Sequence, residues 1–457
     1  MPVSAARAAA FDILLRVETT DAYASELLHS AAAAKLSSQD HRLATELVMG
    51  VLRWRSALDA EIARFSSQKI AKLDAEVLIA LRIAAYQLLY LERIPGHAAV
   101  YESVELVRRA RKGSAAAFVN ALLRKLAEEM HNRTPALGKL TCDASTAEEM
   151  AEKLAHPRWL VRRWIEEYGP RPAAEICRYD QAAPETASRG VTPAVEAELR
   201  GEGVELKAGQ LLASARRVAS GEITASKAFR EGRITIQDEG SQLVALLAGK
   251  GTHILDCCAA PGGKTRLLAE RNPGAEIVAV EIHPHRARLL QRLLNASEAL
   301  RSKPSTDGIH VVCADLQTLP VAQKFDLVLA DVPCSGTGTL ARNPEIKWRL
   351  TAQDLAELQT RQVEILSAAM RHVAPGGRLV YSTCSLEREE NRDVVASVLQ
   401  SAGSFRLLDC EPELHRLGAE GELSWNDIGS LVVDGCLRTI PGVHPCDGFF
   451  AAILKRE

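Results

Sequence analysis

Two cysteines stand where a covalent nucleophile would be useful. One lies in Asp331-Val332-Pro333-Cys334-Ser335-Gly336-Thr337-Gly338, the other in Arg378-Leu379-Val380-Tyr381-Ser382-Thr383-Cys384-Ser385. The thiolate is the reactive form of cysteine, and a free thiol titrates near about 8.5, so such chemistry needs surroundings that favour the anion. A lone free cysteine is as readily a small buried hydrophobe. The repetition of one design, an apolar run ending in a thiol, favours the chemical reading.

The elements that must carry these thiols are legible around them. Phe325 to Ala330 is almost continuously apolar, as in a buried parallel strand. Pro333 cannot continue a sheet, and two glycines soon after allow a tight loop. An acid and a thiol at a strand's carboxyl end lie where open α/β sheets hold ligands. Neighbouring parallel strands would bring Cys334 and Cys384 to one rim. From Gln242 onward strands alternate with helices: expected strands are 253–257, 277–281, 310–314, 325–330, 378–381 and 449–454, with helices over 284–300 and 354–372. The pattern predicts an α/β fold, a mostly parallel, doubly wound, Rossmann-like sheet. The C-terminal strand is expected as an inserted or edge strand.

The first strand–helix turn reads Asp256-Cys257-Cys258-Ala259-Ala260-Pro261-Gly262-Gly263-Lys264-Thr265. Small residues let a ligand approach the backbone, and the following helix offers free N–H groups. The turn matches neither the dinucleotide pattern nor a Walker loop, so phosphate is disfavoured. Glu281, ending the second strand, suits a ribose diol; Asp315, after the third, suits an adenine amino group. Singly, each acid is an ordinary strand-end carboxylate. Together they outline a pocket for an adenosine without phosphate, which S-adenosyl-L-methionine fits.

Bulk properties bound the rest. The 457 residues suffice for two or three domains, and 47% hydrophobic content supplies real cores. A formal net charge of −2 requires any nucleic-acid partner to meet a local basic face. Ten cysteines without paired spacing read as reduced cytoplasmic thiols. Cys257 and Cys258 would point oppositely on a strand, so no metal is expected. No apolar run has membrane-spanning length.

Residues 1 to about 130 read as helical throughout, with Ser38 ahead of His41–Leu52 and a break at Pro95-Gly96. Arg108, Arg109, Arg111 and Lys112 form either a solvated face or a grip on a phosphate backbone. A polar stretch, 136–150, reads as a linker. In His156–Trp164, Trp159 and its neighbour Trp164 interleave with Arg158, Arg162 and Arg163. These either stack on unpaired bases or divide into a core and a wet face. The segment 185–240 is less regular; Gly232–Asp238 reads as a short strand entering the main domain.

The ordered set Ala259–Thr265, Asp331–Gly338 and Ser382–Ser385 resembles the RNA cytosine-5 methyltransferases. Residues 1–130 resemble the NusB fold in Arg7–Val17, Gln39–Arg55 and Phe118–Leu126. The pairing resembles the bacterial small-subunit (16S) rRNA methyltransferases of the RsmB/Sun type, and the likeness extends to Asn343–Trp348 and Asp447–Phe450. It implies four regions: 1–135 an all-helical, NusB-like RNA-binding domain; 136–150 a linker; 151–240 a small α+β RNA-contacting region; 241–457 the catalytic domain. It implies a cofactor loop at Cys258, Ala259, Ala260, Pro261, Gly262, Gly263 and Lys264, with cofactor-side acids at Glu281, Asp315 and Asp331. It further implies Cys384 as nucleophile and Cys334 as the thiol that helps release product. Arg189-Gly190-Val191 departs from the Arg-Val-Asn usual there.

The expected activity is formation of 5-methylcytosine on small-subunit rRNA by a cytoplasmic monomer. Carbon 5 of cytosine becomes nucleophilic only after a thiolate adds to carbon 6, and Asp331 is the candidate to bind N3. The same chemistry on tRNA stays open. Methylation of an exocyclic amine would leave Cys384 without a purpose, and an RNA-binding module with a decayed enzyme half would not keep both thiols.

Overall fold

The computed structural model describes residues 3–30, 33–132, 146–296, 308–319 and 324–457. They fold into two compact units: Met1–Ala183 with Leu340–Arg349, and Pro184–Thr339 with Leu350–Glu457. Residues 136–145 of the expected linker, the last residues (133–135) of the expected helical domain, and the end of the helix expected over 284–300 lie outside the described residues.

The first unit is helical, as the 3.6-residue periodicity predicts. Ala75–Tyr90 is its central helix, burying Ile79, Leu81, Ile83 and Ala84 among Ala5–Thr19, Ser38–Arg53, Arg55–Phe65, Gly96–Arg109 and Ala116–Asn132. Its two buried polar side chains are answered: Arg82 makes a two-pronged pair with Asp59 at 2.7 and 2.8 Å, and Gln87 accepts from Arg7 at 2.7 Å. The cap of Ser38–Arg53 is Ser37 rather than Ser38, its hydroxyl accepting from the Asp40 N–H. Pro95 stands ahead of Gly96–Arg109, as the break predicts.

Leu340–Arg349, the chain just beyond the first thiol loop, is built into this helical unit. Glu345 accepts from the Ala24 N–H at 2.7 Å, and Trp348 donates its indole N–H to the Leu52 carbonyl at 2.6 Å. Arg349 caps the carbonyls of Thr20 and Ala22 at 3.0 and 2.9 Å. Lys347 is wholly buried, 3.5 Å from His156, whose ring lies 3.3 Å from Asp180. Burial pushes the Lys347 ammonium down to about 7 and holds His156 well below its ordinary value. The Asn343–Trp348 motif is thus a packing element of the helical unit.

The second unit holds two sheets. The smaller is antiparallel, in the order β2–β3–β1–β4, from β1 Ala187–Arg189, β2 Glu205–Ala208, β3 Arg216–Ser220 and β4 Thr235–Ile236. The strand expected to enter the main domain is β4, which instead pairs with β1 here. The larger sheet contains β5 His253–Asp256, β6 Glu276–Glu281, β7 Ile309–Cys313, β8 Phe325–Asp331 and β9 Val373–Thr383, followed by β10 Phe405–Leu408, β11 Val432–Val433, β12 Cys436–Thr439 and β13 Phe449–Arg456. Its order is β11–β12–β13–β9–β8–β5–β6–β7, with β10 also on β13. β5 to β9 run parallel; β13 is antiparallel and lies inside the sheet beside β9, not at its edge.

Successive residues of each strand go to opposite apolar layers, as the two-residue period of a strand requires. Ile254, Leu327, Leu329, Val380 and Ala451 enter one layer, while Leu255, Val328, Ala330, Leu379 and Ala452 enter the other. Both faces are therefore covered, which is why the strands read as continuous apolar runs. The order reverses between β6–β5 and β8–β9, and the carboxyl ends there form the crevice that ligands use in such sheets.

Candidate active site

β8 and β9 are in register at Asp331 and Ser382, so the residues that follow leave the sheet side by side. Cys334 and Cys384 meet there with their sulfurs 3.4 Å apart. Burial and hydrogen bonding to its neighbour are both felt at Cys334: the sulfur contact with Cys384 and the loss of water push its thiol well above the ordinary value. Cys334 is thereby held as the protonated thiol, 3.4 Å from the Cys384 sulfur.

Asp331 ends β8 with both oxygens engaged. Lys264 Nζ donates to Oδ2 at 2.7 Å and the Ser382 hydroxyl to Oδ1 at 2.7 Å. Burial works against the Lys264 charge, but Asp331 outweighs it and holds the ammonium above its usual value. Lys264 comes from the turn after β5. Gly262 there has φ of +112°, a backbone conformation that side-chain-bearing residues rarely adopt, and a Cβ would also press a Leu290 methyl. Beneath it the Asp256 carboxyl accepts from Thr265 Oγ1 at 2.7 Å, and burial pushes it up to about 7.

A cavity of about 320 Å³ opens between the turn and the strand ends, lined by Cys258, Ala260, Glu281, Asp315, Asp331, Cys334 and Cys384 among others. One Glu281 oxygen accepts from the His283 N–H at 2.9 Å, and Glu281 lines the cavity. Asp315 caps a short turn through the Gln317 N–H at 2.9 Å, and Ile282, 44% exposed, lies on the rim. The site thus gathers Cys258, Ala260, Glu281, Asp315, Asp331, Cys334 and Cys384 on one cavity, with Lys264 joined through Asp331.

The terminal Asp447–Phe450 motif also acts at this site. Gly448 donates to the Gly338 carbonyl at 2.8 Å while Gly338 donates to the Cys384 carbonyl at 2.9 Å. A Cβ on Gly338 would lie 2.2 Å from the Gly448 oxygen. Glycine is required by close backbone approach.

The expected RNA-facing cations lie in the helical unit. Arg108 pairs with Glu105, Arg109 with Asp12 at 2.7 Å, Lys112 with Asp74 at 2.9 Å and Arg162 with Glu148 at 2.7 Å. Arg111 takes a positive φ of 61° at the end of its helix. Arg158 is exposed, Trp159 and Arg163 are half-buried, and Trp164 is core, edge-on to His156 at 5.9 Å. The core reading therefore holds for Trp164. Arg189, at the departure from the usual motif, turns to Glu270 at 3.2 Å and to Ser214 at 3.0 Å.

Two partners of the thiol loops escaped the sequence reading, Gln362 and Glu390, which bond Ser335 and Ser385 of the quoted motifs or the Pro333 carbonyl. Glu390, in the charged stretch Glu387-Arg388-Glu389-Glu390, is 0% exposed.

The chain matches the family model described as 16S rRNA methyltransferase RsmB/F over residues 243–455 and the NusB family model over 4–128. The probable ribosomal RNA small subunit methyltransferase B of Bacillus subtilis (strain 168) is 34% identical over 476 residues, covering 100% of both chains. This chain belongs to the RsmB/F family of rRNA methyltransferases. The ribosomal RNA small subunit methyltransferase B of Klebsiella pneumoniae subsp. pneumoniae is 32% identical over 93% of this chain and 92% of its own. Among solved structures, PH0851 shares the fold with a TM-score of 0.76 at 22% identity, over 98% of this chain and 99% of that one. NSun6 from Pyrococcus horikoshii, solved with SFG, has a TM-score of 0.53 at 19% identity, over 66% and 98%.

As an RsmB/F methyltransferase the chain depends on S-adenosylmethionine. The residues present suit it. Glu281 on the cavity matches a diol, Asp315 an amine, and exposed Ile282 an apolar ring face. No helix among the described residues is long and apolar enough to cross a membrane.

Proposed function

We propose that the chain forms 5-methylcytosine at a cytosine of small-subunit rRNA through a covalent adduct on Cys384. The observation that carries this reading is the pair of thiols, 3.4 Å apart, beside Asp331 on the cavity. Exocyclic amine methylation has no use for such a pair.

The Cys258–Lys264 loop, Glu281 and Asp315 hold the cofactor: Glu281 takes the ribose hydroxyls and Asp315 the adenine amino group. S-adenosylmethionine supplies an electrophilic methyl group when bound. Cys384 adds as thiolate to carbon 6 of an unpaired or flipped cytosine, which puts electron density on carbon 5. Asp331, fixed by Lys264 and Ser382, binds the N3 edge of the base. After transfer, the carbon-5 proton leaves, the double bond re-forms and the carbon–sulfur bond to Cys384 breaks. Cys334 assists that elimination. Once Cys384 is a thioether, its own charge no longer opposes ionisation of Cys334, which suits Cys334 to the later step.

Residues 1–135 and the 151–240 region add RNA affinity and selectivity, and the enzyme works as a cytoplasmic monomer on free or early-assembly rRNA. The test is nucleoside mass spectrometry of small-subunit rRNA and tRNA after incubation with enzyme and S-adenosylmethionine. 5-Methylcytosine in rRNA supports the reading. The same product in tRNA alone moves the substrate and keeps the chemistry. A methylated exocyclic amine overturns it.

A further inference from the structure

Cys334 and Cys384 ride on separate loops, and their separation depends on whatever ties those loops together. Glu390 lies between them, fully buried. Its Oε1 accepts from the Ser335 N–H at 2.8 Å and from Gln362 Nε2 at 2.8 Å. Its Oε2 accepts from the hydroxyls of Ser335 and Ser385, the latter at 2.5 Å. Ser335 follows Cys334 and Ser385 follows Cys384. Gln362 also donates to the carbonyl of Pro333, which precedes Cys334, at 2.9 Å. A carboxylate has about four acceptor sites, and here all are matched to donors around the two thiols.

The two loops depend on Glu390 unequally. Cys384 is also held by the Gly338 N–H on its carbonyl, and Asn391 donates to the Ser385 carbonyl at 2.9 Å. Around Cys334, besides the sheet bond from Val332 to Ser382, the sulfur contact with Cys384 and the Ser335–Ser385 hydroxyl contact at 3.1 Å, polar contacts run to Glu390 and its partner Gln362.

We propose that Glu390 is a positioning residue for the methylation, setting where Cys334 stands against the Cys384 adduct and hence the rate of elimination. The inference rests on the two-thiol reading above. Addition of Cys384 and methyl transfer precede the step it governs, so its loss uncouples them from turnover. In Glu390→Gln an NH₂ faces two hydroxyls that had donated, and the Cys334 loop shifts; Ser335→Ala removes one of the same contacts with a smaller perturbation. A displacement on the order of an ångström costs about ten- to a hundredfold in rate.

The experiment compares wild type, Glu390→Gln, Ser335→Ala and Cys334→Ala with small-subunit rRNA and methyl-labelled S-adenosylmethionine. It measures the first-turnover methyl burst, steady turnover, and RNA adducts on denaturing gels. The expected result is a preserved burst, turnover lowered about ten- to a hundredfold in Glu390→Gln and less in Ser335→Ala, and labelled adduct that accumulates and disappears in Glu390→Gln/Cys384→Ala. Wild-type turnover in both variants overturns the inference. So does equal loss of burst and turnover, which would make Glu390 a support of the whole site. Absence of adduct even in Cys334→Ala overturns the two-thiol reading instead, and is distinguishable because it does not depend on Glu390.

Discussion

The sulfur of Cys334 lies 3.4 Å from that of Cys384, although 50 residues separate them. The parallel register of β8 and β9 makes this possible. Cys334 is held protonated by its hydrogen bond to Cys384 and by burial. In Cys384→Ala that bond is gone, so the Cys334 pKa falls. Alkylation of Cys334 by iodoacetamide at pH 8, followed by peptide mass spectrometry, is expected to be faster in Cys384→Ala than in wild type. An unchanged rate would remove the basis for assigning the proton to Cys334.

Lys264→Met deprives Asp331 of one of its two donors. A charge-assisted hydrogen bond contributes about 1.5–3 kcal/mol, so kcat is expected to fall about ten- to a hundredfold, with thermal unfolding little changed. Steady-state kinetics check this. A fall confined to KM for RNA would place Lys264 outside the chemistry.

Gly338→Ala places a methyl 2.2 Å from the Gly448 oxygen, against backbone on both sides. Overpacking of this kind costs about 1–3 kcal/mol. The expected outcome is a lower unfolding temperature and loss of methylation through displacement of the Cys384 loop. An active, undisturbed variant would show that the approach of the two glycines is not required.

Lys347 provides a pH test of the helical unit. Burial holds its folded pKa down to about 7, against 10.5 when exposed. Between those values the unfolded chain binds a proton that the folded chain does not, so stability rises with pH across this window, by up to about 1.4 kcal/mol per unit. Below about 7 both states are protonated and the cost of the buried charge is complete. Lys347→Met is therefore expected to stabilise most near pH 6–7, with the advantage shrinking towards pH 10. Denaturant unfolding across that range checks it; an advantage that grows with pH would contradict the assignment.

Much of this was written locally in the chain. The apolar run before Asp331, the small-residue turn at Ala259–Lys264 and acids at strand ends have meanings set by neighbouring residues, and the Rossmann-like sheet followed from them. What escaped depends on partners distant in sequence. Glu390 sits in a charged stretch, and its partners come from the distant Cys334 and Cys384 loops and from Gln362. Trp164 and Trp159 read alike, yet tertiary packing buries one. The inner position of β13 is fixed by its pairing with β9, which its own alternation does not record. Asn343–Trp348 follows the first thiol loop in sequence but packs with helices more than 150 residues earlier in the numbering.

The central claim is that Cys384 attacks the base and Cys334 releases it. The most direct measurement incubates wild type, Cys334→Ala and Cys384→Ala with small-subunit rRNA and labelled S-adenosylmethionine, then resolves each mixture on a denaturing gel. The expected result is labelled protein–RNA adduct accumulating in Cys334→Ala, released methylated RNA with wild type, and neither from Cys384→Ala. Adduct accumulating in Cys384→Ala, with none in Cys334→Ala, would contradict the claim and exchange the roles of the two thiols.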